Sequence, residues 1–194
     1  MLTEQAIQFS LQKLQSELQG YLVYHDPNHT FEVMEQSMAL AASCGVSPKE
    51  IELLKTAAAF HDIGYIFVYD GHEEKSCEIA REVLPGYDFN PAEIDRICKL
   101  IMTTKMPQSP FDLESGILCD ADLDYLGRDD YDEKANNLRK ELESIGIKYN
   151  DADWLHVQVN FVKQHRYHTP LERTKRDDGK AINLTRLEKQ LNGF

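Results

Sequence analysis

In the run Ala57-Ala58-Ala59-Phe60-His61-Asp62-Ile63-Gly64-Tyr65, an imidazole and a carboxylate stand side by side within an otherwise apolar stretch. Burying an uncompensated carboxylate costs on the order of several kcal/mol, so the chain must provide a partner for it elsewhere. Other polar residues fall in phase with apolar ones. His29 leads a stripe through Val33, Ser37 and Leu40, and His72 leads one through Ser76, Ile79 and Val83. In Ile117-Leu118-Cys119-Asp120-Ala121-Asp122-Leu123-Asp124-Tyr125, the face shared by Leu118, Asp122 and Tyr125 turns Asp122 inward ahead of Asp120. His29, His61, Asp62 and Asp122 make a mixed nitrogen and oxygen set. Such a set suits one divalent Mn, Fe, Co, Ni or Mg ion with positions open to water, rather than a closed structural zinc site.

These residues need helices to carry them. Thr3 caps a first helix with Ile7, Leu11, Leu14 and Leu18 on one face, ending near Gly20. Asp26 and Pro27 suit the N-cap and first position of a second, which places His29 in its first turn. His25-Asp26 itself reads as a turn dipeptide without a role in the site, because the residue before a proline is pushed toward extended backbone. Ser47-Pro48-Lys49-Glu50 is a capping box, and Ile51, Leu54, Ala58 and His61 share the face of a third helix that Gly64 closes. Residues 65–71 read as a loop leading away from the site. The helix begun at His72 stops at Pro85-Gly86, and a second capping box, Asn90-Pro91-Ala92-Glu93, opens the next, with Ile94, Ile97, Ile101 and Thr104 in phase.

The remainder reads as helical scaffold: Tyr131, Ala135, Leu138 and Leu142; Trp154, Val157 and Phe161; a third capping box at Thr169-Pro170-Leu171-Glu172; and a last short helix with Leu184, Leu187 and Leu191. Arg166, Arg173, Lys175, Arg176 and Lys180 read as a solvated basic face. The expected fold is all-α and a single domain over 1–194, with a motif-bearing core at about 24–131 and scaffold at about 131–194. The four cysteines form no Cys-x-x-Cys pair and read as small buried residues of a reducing compartment. A net charge of −12 opposes binding to a nucleic-acid polymer, though not to a small phosphate ligand. The N-terminus lacks a signal-peptide pattern and no apolar run would span a membrane, so a cytoplasmic protein is expected. Nothing in the sequence speaks against a homo-oligomer.

The ordered set His29, His61-Asp62 and Asp122, with His-Asp-Ile-Gly and Asp-Ala-Asp-Leu as its specific parts, resembles the HD-domain superfamily of metal-dependent phosphohydrolases from about Tyr24 to Tyr131. The resemblance implies an HD-domain helical bundle and a metal held by those four residues. Asp120 competes with Asp122 for the last place, and the family's habit of using the aspartate directly after the alanine agrees with the helical phase. His72-Glu73 stands where nucleotide-hydrolysing members can place a catalytic histidine. Members with two metals carry extra histidines where this chain has Ile101-Met102-Thr103-Thr104-Lys105, and no Gly-Tyr-Pro follows the His-Asp motif, so a single ion is expected. His72 would be the ligand of a second ion if there were one.

The implied reaction is hydrolysis of a phosphate ester of a nucleotide or related small metabolite, a phosphomonoesterase or nucleotidase rather than a cyclic-dinucleotide phosphodiesterase. Asp62 binds the metal and orients water, His72 acts as general acid and Glu73 orients it. Lys105, Arg128 and Thr104 are the candidate phosphate contacts. The competing reading is a metal-containing ligand sensor or interaction module that keeps the fold without turnover.

Overall fold

The computed structural model describes residues 1–193, and among these it contains helices and turns but no strand. The chain forms two compact units, one of residues 1–19 with 25–122 and one of residues 20–24 with 123–193.

The first unit holds α1 (Thr3–Glu17), α2 (Pro27–Ser43), α3 (Pro48–Phe60), α4 (His72–Val83), α5 (Pro91–Thr104) and α6 (Leu113–Asp122). Local signals set most starts. Asp26, Ser47 and Asn90 each accept the backbone N–H three residues on, a proline follows each, and only at Asn90 is the reciprocal bond from Glu93 also made. Thr3 departs from expectation: it is the first helical residue, and Leu2 precedes it without a side-chain cap. The core of this unit is built from faces that include Leu14, Leu40, Leu54, Phe60, Ile97, Ile101 and Leu118, each at most 2% exposed. α3 lies at its heart, packed against α1, α2 and α5, so Ala57, Ala58, Ala59 and Phe60 are completely buried. That small-residue run lets neighbouring helices approach closely where His61 emerges.

Two stretches read as punctuation are ordered. Ile63–Ile66 forms a 3-10 turn directly after Asp62, so Gly64 lies inside that turn instead of closing α3. A second 3-10 turn, Leu84–Tyr87, carries the Pro85-Gly86 stop. Gly64 is required by close approach, since a Cβ there would lie 2.0 Å from the His72 carbonyl oxygen.

The second unit holds the 3-10 turn Asp124–Gly127, α7 (Tyr131–Ser144), α8 (Asp151–Gln164) and α9 (Pro170–Leu191) around a core of Tyr131, Trp154, Val162, Tyr167 and Leu187. The expected short last helix is instead the end of α9, which runs 22 residues from Pro170 and passes through Gly179 without a break. Of the cations read as a solvated basic face, Arg166, Arg173 and Lys175 are exposed, whereas Arg176 and Lys180 are not. Arg176 makes two hydrogen bonds to Asp124, at 2.6 and 3.0 Å, and Lys180 is buried and donates to the His165 carbonyl. The acids Asp124 and Glu172, both buried, are what the sequence pattern did not pair with these cations.

Cys77, Cys98 and Cys119 are buried free thiols and Cys44 is partly buried. No described helix is long and apolar enough to cross a membrane.

Candidate metal centre

Three places in the first unit deliver the polar set. The Asp26 carboxylate accepts the His29 N–H at 2.8 Å, which fixes His29 in the first turn of α2. His61 is the C-cap residue of α3 and Asp62 the next, and Asp122 is the last residue of α6. Helix ends thus bring residues distant in sequence to one point.

His29 Nε2 lies 3.2 Å from Asp122 Oδ1 and 3.5 Å from Asp62 Oδ2. His61 Nε2 lies 3.2 Å from Asp62 Oδ2 and 3.6 Å from Asp122 Oδ1. One ligand atom from each of His29, His61 and Asp122 falls within 4.8 Å of the others, close to the spread expected around a single ion with bonds of about 2.0–2.2 Å. Asp120 is fully buried and is not among these converging residues.

The surroundings aim the ligands. His61 Nδ1 is 2.8 Å from the Ala58 carbonyl oxygen, and because a carbonyl only accepts, Nδ1 carries a proton and Nε2 is the nitrogen that faces the centre. The Ser76 hydroxyl donates to the His61 carbonyl at 2.7 Å and accepts the Gly64 N–H at 2.9 Å, tying α4 to the backbone of the His-Asp turn.

Burial by itself would depress the His61 imidazole, yet the charges of Asp62 and Asp122 outweigh it and hold the group well above its ordinary range. Burial alone would raise the Asp62 and Asp122 carboxyls, but the neighbouring His61 and His29 push both far below theirs. His61 Nε2 and Asp62 Oδ2 are buried without a hydrogen bond. A divalent cation fits this donor set: it would satisfy both atoms and would replace the positive charge that the acids otherwise draw from imidazoles.

A second polar group adjoins the first. His72 Nε2 lies 3.6 Å from Asp62 Oδ1 and 3.5 Å from Glu73 Oε1, while its Nδ1 donates to the Tyr69 carbonyl at 3.2 Å. His25, read as a turn residue with no role, is here too. Its ring centroid is 4.3 Å from that of Tyr65 and 5.8 Å from that of His29. Tyr65 was concealed in an apolar run with no clear period.

The expected phosphate contacts are more dispersed. Lys105, at the C-terminal end of α5, pairs with Glu74 in the first turn of α4, two residues after His72. The Thr104 hydroxyl donates to the Ile101 carbonyl of its own helix at 2.8 Å. Arg128 belongs to the second unit, where its guanidinium engages Asp130 and, at 3.5 Å, Asp124.

The HD domain family model matches residues 28–124, half of the chain and the whole of this centre, and the chain belongs to that family. No curated protein matches it in sequence. Among solved structures, Bacillus subtilis YpgQ in complex with ADP superposes with a TM-score of 0.67 at 18% identity, covering 100% of this chain and 97% of that one. A predicted HD superfamily hydrolase from an uncultured Thermotogales bacterium superposes with a TM-score of 0.56 at 22% identity, covering 81% and 89%. The fold is therefore that of HD-domain proteins.

Proposed function

We propose that the chain is a metal-dependent phosphohydrolase that cleaves a phosphate ester of a nucleotide or a related small phosphorylated metabolite. The observation that carries this reading is the convergence of His29, His61, Asp62 and Asp122 with two buried donor atoms lacking hydrogen bonds. Those four residues would hold one divalent ion. Such an ion lowers the pKa of water toward neutrality and polarises a phosphoryl oxygen.

The chain's own groups do the rest. Asp62 orients water for in-line attack on phosphorus. The bond from phosphorus to the leaving oxygen then breaks, and that oxygen takes a proton from His72 Nε2, the nitrogen left available by the Nδ1 bond to Tyr69. Glu73, buried and 3.5 Å from His72 Nε2, is the carboxylate assigned to orient the imidazole. Lys105 is assigned a phosphate oxygen, since its exposed pair with Glu74 is weak enough for a phosphate to displace. Arg128 and Thr104 are committed to neighbours and receive no such role. The ADP bound to YpgQ supports a nucleotide-sized ligand.

The test combines elemental analysis of natively purified protein with turnover of nucleotides and generic phosphate esters in Mn, Co, Ni and Mg. Phosphate release is expected with at least one ion, and His61→Ala and Asp62→Ala should lose both bound metal and at least about 100-fold in turnover. Bound metal without turnover of any ester would leave a sensor as the better reading.

A further inference from the structure

The group beside the centre contains an aromatic residue that the proposed chemistry does not use. Tyr65 is 6% exposed, and its ring faces the His72 imidazole with centroids 3.8 Å apart and planes inclined by 17°. Its hydroxyl lies 3.2 Å from His25 Nε2, and the Tyr69 ring meets it edge-on at 5.2 Å. The backbone is equally constrained. Gly64, the residue before Tyr65, touches the His72 carbonyl so closely that even a Cβ would collide, and its N–H is held by Ser76 of α4. The turn that carries Tyr65 is thus seated directly on the residue that carries the imidazole. The one hydrogen bond of His72 fixes Nδ1, and the Asp62 and Glu73 carboxylates approach Nε2 no closer than 3.5 Å, so what lies against the ring face bears on its tilt about that bond.

We propose that Tyr65 is a positioning residue for His72: its ring holds the imidazole so that Nε2 stays aimed at the space next to Asp62 and Glu73, where a leaving oxygen would collect its proton. The inference rests on the assignment of His72 as general acid. It implies dependence on the leaving group, because an alkoxide needs a proton to depart whereas p-nitrophenolate leaves readily without one.

The experiment compares 5′-AMP with p-nitrophenyl phosphate, both with Mn²⁺, for wild type, Tyr65→Phe, Tyr65→Leu, His72→Ala and the Tyr65→Leu, His72→Ala double variant. Tyr65→Leu should lower kcat on 5′-AMP by about 10- to 100-fold with little change in KM, and lower it far less on p-nitrophenyl phosphate. Tyr65→Phe, which keeps the ring, should restore most of that loss, and Tyr65→Leu should cost nothing further once His72 is Ala. NMR of the metal-free protein gives a readout independent of turnover: the Tyr65 ring shifts the His72 ring protons upfield, and this shift should vanish in Tyr65→Leu and persist in Tyr65→Phe. Equal losses on both esters, or a full additive loss in the double variant, would make Tyr65 a merely structural residue and overturn the inference. Unchanged 5′-AMP turnover in His72→Ala overturns the acid assignment and the inference with it. A loss in His72→Ala alone, with Tyr65→Leu at the wild-type rate, overturns the inference and leaves the assignment standing.

Discussion

Ser76 shows how little separates a packing residue from one that tunes a site. It is completely buried, and its hydroxyl serves two backbone groups at once, the His61 carbonyl and the Gly64 N–H. Both would lose a partner in Ser76→Ala, at about 1–3 kcal/mol for each buried group left without one. For a chain of this length about 2–4 °C is expected per kcal/mol, so Tm should fall by several degrees. The same bond steadies the backbone of His61, a ligand in the proposed centre, and contacts that support a metal ligand are typically worth about 10- to 100-fold in metal affinity. Calorimetric titration of Mn²⁺ into Ser76→Ala, at a temperature where the variant is folded, should therefore show weaker binding. Unchanged affinity beside a lowered Tm would confine Ser76 to stability.

Among the elements, α9 sets two local rules against each other. Gly179 lies inside a helix, where propensity favours alanine over glycine by about 1 kcal/mol. A Cβ at that position would stand 2.2 Å from the Gly127 carbonyl oxygen, and one at Gly127 would stand 2.5 Å from that of Arg176, so the turn Asp124–Gly127 and α9 meet backbone to backbone. Overpacking of this kind costs about 1–3 kcal/mol and neither backbone can swing aside as a side chain can, so the clash wins. Gly179→Ala should lower Tm, measured by circular dichroism; a rise would show that the turn is not seated there. This contact also explains what the sequence could not disclose. Glycine inside a polar helical stretch reads as a break, and the reason for its presence lies more than fifty residues away. By contrast, helix starts at Asp26, Ser47 and Asn90 were legible because cap, proline and first turn are all local, and so was the inward phase of His29, His61 and Asp122. His25 and Tyr65 were not legible. One stands in a polar turn before a helix and the other in a turn too short to have a period, so only the tertiary fold brings their rings to His72.

At the scale of the whole molecule, the strongest consequence for solution behaviour comes from the acids of the second unit. Asp124 and Glu172 share Arg176, which hydrogen-bonds Asp124 at 2.6 Å and lies 3.5 Å from Glu172 Oε1. Burial, reinforced by the charge of Asp124, pushes the Glu172 carboxyl up to about 8, while Asp124 is held below its ordinary range despite its own burial by its bonds to Glu172 and Arg176. Glu172 is therefore protonated in the folded chain across a range where the unfolded chain, with an ordinary glutamate near 4.5, has released that proton. Folding then takes up a proton, and stability falls as pH rises from about 5 to about 8, with a slope of at most about 1.4 kcal/mol per pH unit from this group. Asp124 acts with the opposite sign and only below its unfolded value, so it does not offset the decline within this window. His61, raised by its own acids, adds a loss of the same sign, and a substitution is needed to separate the two. Glu172→Gln mimics the protonated acid. It should leave chemical-denaturation stability nearly unchanged at pH 5 and increase it at pH 8, flattening the profile between them. Parallel profiles for wild type and variant would mean that Glu172 is ionised alongside Asp124 and that the nearby Lys175 and Arg176 neutralise both.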